Sequence, residues 1–204
     1  MKYMRQPKTS KILMFVLLVT LFSILSFEAE AAQIQGVNFD EVYKDEGVVM
    51  ELQGTGLKTM LFFKAFVAGF YQDETYPGED LGQFPKRIEV EYFVDIPAKK
   101  LNNYTVERMK VNTTDTEFQS IIDKVELMAD YFVDLKSGDR FSLTYIPGLG
   151  TKFAHNGQLV GIIEGEDFAK ALFAVWIGQE PFDEKLKEQI LGDRHSPANK
   201  IALN

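Results

Sequence analysis

The stretch FSLTYIPGLGTKFAHNGQLVGIIEGEDFAKALFAVWIG, residues 141–178, decides the fold more than any other part of the sequence. Residues 141–146 are rich in β-formers and alternate in polarity, which is typical of a strand. Asn156-Gly157 then joins the runs 151–155 and 158–163, and predicts a tight hairpin because both central positions of such a turn need φ > 0. The stretch therefore predicts three antiparallel strands in succession.

A helix that is apolar on two sides follows these strands. One face carries Phe168, Ala171, Leu172 and Val175, and the other carries Phe173, Trp176 and Ile177. Such a helix belongs inside a domain rather than on its surface. Gly178 ends the pattern, and Pro181 prevents the helix from resuming.

The residues before this stretch predict further strands. Residues 48–52 and 58–71 have strand patterns, and Gly54-Thr55-Gly56 is the turn expected between them. Residues 87–94 alternate as another strand, whereas residues 73–84 hold two glycines and a proline and predict a loop.

Three more helical segments complete the pattern. Pro97 opens a helix to about residue 110, and residues 115–132 keep one face apolar after a capping-box pair, Thr114 and Glu117. A last helix covers residues 183–191. Antiparallel runs of strands with helices grouped between and after them predict an α+β fold, a curved antiparallel sheet with helices packed on one face.

The N-terminal residues have the pattern of a secretory signal peptide. Its positively charged start is made by Lys2, Arg5, Lys8 and Lys11. Residues 12–27 form an uncharged apolar run, shorter than the roughly 20 residues that span a bilayer, and Ala29-Glu30-Ala31 is a small-x-small cleavage site. We therefore expect export to the periplasm, with cleavage near Ala31-Ala32 and no stable membrane insertion afterwards.

The expected organisation is a signal peptide over 1–31, one domain over 32–192 and a loose tail over 193–204. Removing residues 1–31, which hold four basic and two acidic residues, takes the net charge from −8 to −10. An acidic surface argues against sequence-independent nucleic-acid binding and against electrostatic docking to anionic lipid. The lack of cysteine excludes thiol nucleophiles and thiolate metal sites.

Familiar catalytic and metal-binding motifs are missing from the sequence. His155 stands beside the hairpin turn and His195 in the tail, so no metal site is expected. Asp95 is interpreted as a cap for the helix that begins at Pro97. Lys58, which leads into the most apolar strand, has two open interpretations: a cation that pairs with a carboxylate or polarises a carbonyl, or a strand lysine that reaches solvent.

Several of these segments together resemble the chalcone isomerase-like family, in its bacterial exported branch. The similarity covers residues 34–192. The segments that carry it are Gly54-Thr55-Gly56-Leu57-Lys58, FKAFVAGFY at 63–71, YIPGLGT at 145–151, Asn156-Gly157, and residues 167–178 with Pro181.

The resemblance implies the family's fold and a site beside Lys58. Plant chalcone isomerases close a phenolate onto an enone, and an arginine after a Gly-x-Gly turn stabilises the charge on the carbonyl; Lys58 stands at that position. Phe66 and Val175 stand where the family has threonines, and neither offers a donor. Losing one such donor typically costs about a hundredfold or more in rate, so no catalytic residue is expected, with Lys58 the candidate electrophile if the chain is an enzyme.

The family also contains non-catalytic members, including fatty-acid-binding plant relatives. The resemblance therefore implies a small amphipathic or acyl ligand and no cofactor. The expected ligand-binding residues are Lys58, Phe62, Phe66, Phe70, Tyr104 and Trp176. Two alternatives stay open: an isomerase or lyase that acts on an unknown substrate through Lys58, and a structural or interaction protein of the envelope without a small ligand.

Overall fold

A computed structural model of the chain describes residues 31–73 and 81–192. The strands are β1 (Ala31–Ile34), β2 (Val37–Asp40), β3 (Val42–Asp45), β4 (Val48–Met60), β5 (Phe63–Gln72), β6 (Lys86–Tyr92), β7 (Arg140–Ile146), β8 (Gly150–His155) and β9 (Gln158–Ile163). The helices are α1 (Ala98–Val111), α2 (Asp115–Ser120), α3 (Ile122–Tyr131), α4 (Glu166–Ile177) and α5 (Glu184–Leu191). Residues 1–30 of the predicted signal peptide, the predicted tail with His195, and most of the predicted loop over 73–84 lie outside the described residues.

Strands β3 to β9 form one antiparallel sheet in which each strand pairs with the next along the chain. β1 and β2 form a separate hairpin. Helices α1 to α3 connect β6 to β7, and α4 and α5 follow β9. The predicted α+β fold with an antiparallel sheet is confirmed.

The expected turn at Gly54-Thr55-Gly56 is wrong, because these residues lie inside β4. β4 continues to Met60 and pairs with β5 along this whole segment, with an irregularity beside Gly54. The glycines instead allow α5 to approach: a Cβ on Gly54 would lie 2.4 Å from the carbonyl oxygen of Gln189. The pattern of two glycines therefore reflects close packing against a helix rather than a reversal of the chain.

The stretch quoted above folds as three strands and a buried helix, as predicted. Asn156 and Gly157 have φ of 49° and 78°, the left-handed conformation that a tight hairpin turn requires. The buried residues of α4 cover both of its faces: Phe168, Ala169, Ala171, Leu172, Phe173, Ala174 and Val175. Within residues 31–73 and 81–192, no helix combines the length and the hydropathy needed to cross a membrane.

The helix predicted over 115–132 is two helices, α2 and α3. The capping box is present, since the backbone N–H of Glu117 donates to Thr114 Oγ1 at 3.3 Å and that of Thr114 donates to Glu117 Oε2 at 2.8 Å. Ile121 interrupts the helix with φ −112° and ψ 8°. Its side chain is nevertheless buried in the core, so the predicted apolar face survives the interruption.

Asp95 does not cap α1, and that prediction is wrong. Its carboxylate accepts hydrogen bonds from the backbone N–H of Ser137 at 3.0 Å and from Lys136 Nζ at 2.9 Å. The first backbone N–H of α1, that of Ala98, donates instead to Asp134 Oδ1 at 2.8 Å. Asp134, which is distant in sequence, thus supplies the acceptor that Asp95 was expected to provide.

The sheet is covered on both faces, and β5 shows how. Phe66, Ala68 and Phe70 belong to the large core that the sheet shares with the helices. Val67, which points to the opposite face by the alternation of a strand, packs with Val37 and Phe39 of the β1–β2 hairpin. The helices occupy one face as predicted, while the hairpin covers part of the other.

Candidate functional site

Lys58 lies in β4 and is engaged by the start of α5. Its ammonium group pairs with the carboxylate of Asp183, with side chains 23% and 21% exposed, and lies 5.4 Å from the ring centre of Phe182. Asp183 also caps α5 by accepting from the backbone N–H of Leu186 at 2.8 Å. Burial alone raises the pKa of Asp183, but the hydrogen bonds from Lys58 and Leu186 outweigh it and hold the pKa below its usual value.

The space beside Lys58 is filled by aromatic rings. The ring centre of Phe66, opposite Lys58 in the β4–β5 register, lies 5.7 Å from that of Phe182 and 6.0 Å from that of Trp176. The Phe182 ring also lies 5.4 Å from Trp176 and 6.0 Å from Tyr104. Four of the predicted ligand-binding residues, Lys58, Phe66, Tyr104 and Trp176, therefore gather around Phe182.

Sequence reasoning missed Phe182, the residue at the centre of this cluster. It follows Pro181 and directly precedes the capping residue Asp183. An apolar residue just before an N-cap often packs inward, and this is the pattern that predicts its position. Its backbone N–H donates to the carbonyl oxygen of Val175 at 2.8 Å, which fixes it against the end of α4.

Two predicted residues lie away from this cluster. Phe62 is fully exposed, because the chain reverses at Leu61 and Phe62 rather than at residues 54–56; the expectation that Phe62 lines the cleft beside Lys58 is wrong. Phe70 is buried and lines a separate groove.

That groove has a volume of about 1590 Å³ and lies between α4, α5 and the segment that joins α1 to α2. Its apolar lining comprises Phe70, Leu81, Val111, Ile121, Ala171, Ala174, Ile177 and Leu191. Amide and hydroxyl groups also line it, from Gln72, Asn112, Thr113, Thr114, Ser120 and Gln179. Such a mixture suits a ligand with an apolar body and a polar end. Lys58 is not among the residues that line this groove.

Lys86, in β6, is the buried cation of this groove. Lys86 is 1% exposed, and its Nζ donates to the carbonyl oxygen of Leu81 at 2.6 Å. The ammonium group lies 5.1 Å from the ring centre of Tyr145 and 5.7 Å from that of Phe173. Nothing in the local sequence distinguishes Lys86 from an ordinary lysine at a strand start, so sequence reasoning did not single it out.

The remaining charged residues of the groove are mostly acidic, and several of them have partners in the structure. The acidic set is Glu117, Glu166, Asp167, Glu180, Glu184 and Glu188, and the other lysines are Lys170 and Lys187. Glu117 belongs to the capping box, whose backbone hydrogen bond from Thr114 lowers its pKa. Asp167 pairs with Lys124 at 2.7 Å. Lys187 pairs with Glu184 at 3.2 Å and donates to the carbonyl oxygen of Gly178 at 2.9 Å.

Across residues 31–73 and 81–192, no group of three or more His, Asp or Glu side chains is placed to hold a metal ion. His155 lies beside Asp139 instead, with Nε2 3.2 Å from Oδ2.

Residues 31–192 match the family model described as chalcone isomerase-like. The chain belongs to the chalcone isomerase-like family. A similar solved structure is the fatty-acid binding protein AtFAP1 of Arabidopsis thaliana, with a TM-score of 0.63 and 17% sequence identity, over 86% of this chain and 100% of that one. At this identity the likeness concerns the fold. No curated protein sequence matches this chain significantly.

The positions compared with chalcone isomerases are apolar in the structure of this chalcone isomerase-like chain. Phe66 is 8% exposed and Val175 is 4% exposed, and neither side chain carries a hydrogen-bonding group. The site beside Lys58 is thus a packed aromatic cluster closed by an ion pair.

Proposed function

We propose that this chain is an exported, non-catalytic member of the chalcone isomerase-like family that binds a small amphipathic ligand with an acyl chain. The observation that carries the proposal is the groove of about 1590 Å³, whose lining combines apolar side chains with polar groups and a buried lysine. Pockets for small molecules commonly measure about 300–1,000 Å³, so the groove has room for a long chain. The fatty-acid binding protein that shares this fold favours the same ligand chemistry.

The polar end of the ligand has two candidate cations. Lys58 is the one implied by the resemblance, but it does not line the groove. Lys86 lines the groove, where its ammonium group donates to the carbonyl oxygen of Leu81 and lies near the rings of Tyr145 and Phe173. Because a charge-assisted hydrogen bond is stronger away from bulk water, the geometry favours Lys86 as the group that holds a carboxylate.

The absence of catalysis rests on the cluster beside Lys58. An enolate needs donors held in place around its oxygen, and Phe66 and Val175 supply none. Lys58 keeps a positive charge but lacks the planar fork of arginine, and its partner Asp183 offsets that charge. Phe182 packs against Phe66 and Trp176 and fills the space beside Lys58.

Export to the periplasm, and the bacterial origin that goes with it, are supported by the sequence pattern of residues 1–31. The proposal gives a mature N-terminus near Ala32. N-terminal sequencing of the protein from a periplasmic fraction tests this, and a protein that keeps its first 31 residues and fractionates with the inner membrane would overturn it.

Ligand binding in the groove is tested with a matched pair of substitutions. Val111 lines the groove and is 48% exposed, whereas Leu127, on α3, is 41% exposed and is not part of the groove lining. Calorimetric titration with dodecanoate should show binding that Val111→Glu weakens about tenfold, through lost apolar contact and charge repulsion. Leu127→Glu should leave the affinity unchanged. If the native protein binds no dodecanoate, or if both variants lose affinity equally, the groove is not the binding site.

A further inference from the structure

Four hairpins in the described part of the chain turn within two residues. They are flanked by the pairs Ile34 and Val37, Asp45 and Val48, Met60 and Phe63, and His155 and Gln158. The residue types that occupy these two-residue turns can therefore be compared with one another.

Three of these turns follow one rule. Gln35-Gly36, Glu46-Gly47 and Asn156-Gly157 each place a polar residue before glycine, and all six residues have φ between 48° and 87°. Glycine adopts this conformation without steric cost, and the polar side chain faces water. These three turns thus have the residue types that hairpin geometry favours.

The fourth turn, Leu61-Phe62, breaks the rule at both positions. Leu61 has φ of 51°, a conformation that is unfavourable for a residue with an apolar Cβ substituent. Phe62 is fully exposed and Leu61 is 88% exposed, so neither side chain contributes to a core. Folding favours a residue that tolerates positive φ at position 61, and solubility favours polar side chains at both positions. The apolar pair therefore points to an interaction outside the folded chain.

The exposed apolar surface is continuous and projects from the sheet. Met60 and Phe63, which flank the turn, are each about half exposed; residues 60–63 together are called the hairpin tip. β3 pairs with β4 only as far as Glu51, and β6 pairs with β5 only from Phe66 onward. Beyond those points, the strands leading to the tip pair with each other.

The charge around the tip differs from that of the whole protein. The net charge of the chain is −8, yet the stretch 52–72 contains two lysines, Lys58 and Lys64, and no acidic residue. No carboxylate of this stretch can therefore repel the phosphates of lipid headgroups. The exposed Lys64, directly after the tip, is also compatible with the headgroup layer, because a lysine stem can lie along apolar surface while its ammonium stays at the polar side.

We propose that the hairpin tip inserts into the interface of a lipid bilayer and holds the protein at a membrane surface. A protein partner fits less well, since the exposed part of the four side chains amounts to roughly 400–600 Å². A stable protein interface buries about 800 Å² on each partner. A convex, deformable set of Met, Leu and Phe side chains suits a fluid apolar phase that needs no matching pocket. This inference is independent of the ligand proposed for the groove.

The experiment uses site-specific labels, which the lack of cysteine makes possible. In the full chain, Thr59→Cys carries an environment-sensitive fluorophore next to the tip, and Gln158→Cys carries it next to the Asn156-Gly157 turn as the matched control. With phosphatidylcholine vesicles, the label at 59 should shift to the blue and be quenched by lipid-borne quenchers, and the label at 158 should do neither. Because the label reports on its own surroundings, the apolar run at 12–27 does not produce this result.

A second variant gives the tip the turn of another hairpin of this chain. Leu61→Asn with Phe62→Gly should keep or raise the thermal unfolding midpoint, since it relieves the unfavourable φ. The vesicle response of the label at 59 should then require about a hundredfold more lipid, as roughly tenfold is lost for each large apolar side chain. A stable variant that has lost the response thus supports the proposal without any loss of fold.

Four results would overturn the proposal. The label at 59 does not respond to vesicles, or it responds equally in the native tip and in the double variant. The label at 158 responds as strongly, which indicates adsorption of the whole surface. The label at 59 responds to protein concentration without vesicles, which assigns the tip to a second copy of the chain.

Discussion

The ammonium group of Lys58 in β4 is paired with the carboxylate of Asp183, the residue that caps α5. One carboxylate thus serves two purposes: it accepts a hydrogen bond from the backbone N–H of Leu186, and it neutralises the charge of Lys58. The pair joins the sheet to the last helix at the point where Phe182 enters the aromatic cluster.

The two purposes of Asp183 can be separated by substitution. Asp183→Ala removes both the cap and the ion pair, and should lower the free energy of unfolding by about 1–2 kcal/mol. Asp183→Asn keeps a good capping acceptor, and Lys58→Met keeps the stem of the lysine. Each of these should cost less than about 1 kcal/mol, because the pair is partly exposed. Urea unfolding checks this, and an Asp183→Asn variant as unstable as Asp183→Ala would show that the ion pair dominates.

Gly54 should be the least replaceable glycine of β4. An added Cβ would meet the backbone oxygen of Gln189 at 2.4 Å, whereas at Gly56 it would meet the side chain of Leu186 at 2.6 Å. The side chain of Leu186 can rotate away from an added Cβ, whereas the backbone of α5 cannot shift at one residue alone. We expect Gly54→Ala to lower the free energy of unfolding by about 2–3 kcal/mol and Gly56→Ala by less than half of that. Equal effects in denaturant titrations would contradict the close approach of α5.

Asp139 should make the free energy of unfolding depend on pH in the acid range. Asn156 Nδ2 and the backbone N–H of Lys136 donate to its carboxylate at 2.9 Å and 2.7 Å, and these hydrogen bonds lower the pKa of Asp139 to about 2. The unfolded chain has a value of about 3.9, so the folded state favours the charged form. The stabilisation is complete above about pH 5 and is lost as the pH falls from about 4 towards 2. Urea midpoints between these pH values should fall less steeply in Asp139→Asn than in the native protein; identical slopes would assign the dependence to other carboxylates.

Chalcone cyclisation should not exceed the uncatalysed rate. Phe66 and Val175 cannot position a ketone or a water, and Lys58 is engaged by Asp183. An absorbance assay with a hydroxylated chalcone measures this directly. A saturable rate that disappears in Lys58→Ala would show that the chain is an enzyme.

Local patterns predicted most of the fold, because they depend on neighbours in the sequence. The Asn156-Gly157 hairpin and the capping box of Thr114 and Glu117 need nothing beyond a few adjacent residues, and both are confirmed. The interruption at Ile121 was not predictable in this way, because the same apolar face would be buried in one continuous helix.

Long-range packing explains what the sequence could not predict. Two glycines two residues apart favour a turn, and only the approach of α5, more than a hundred residues later, explains them inside a strand. The same holds for the site. Lys58 was recognisable from its position after Gly54-Thr55-Gly56, but its pairing with Asp183 and the filling of the cluster by Phe182 depend on where α5 lies. Lys86 is a candidate only because it lines the groove, which the sequence does not reveal.

Titration of dodecanoate against three forms of the protein tests the central claim most directly. The native protein should bind dodecanoate, and Lys86→Met should bind it about tenfold or more weakly, because a charge-assisted hydrogen bond contributes roughly 1.5–3 kcal/mol. Lys86→Met should bind dodecanol with unchanged affinity, which controls for damage to the groove, and Lys58→Met should bind dodecanoate like the native protein. The account is contradicted if the native protein does not bind dodecanoate, or if Lys58→Met, and not Lys86→Met, loses the affinity.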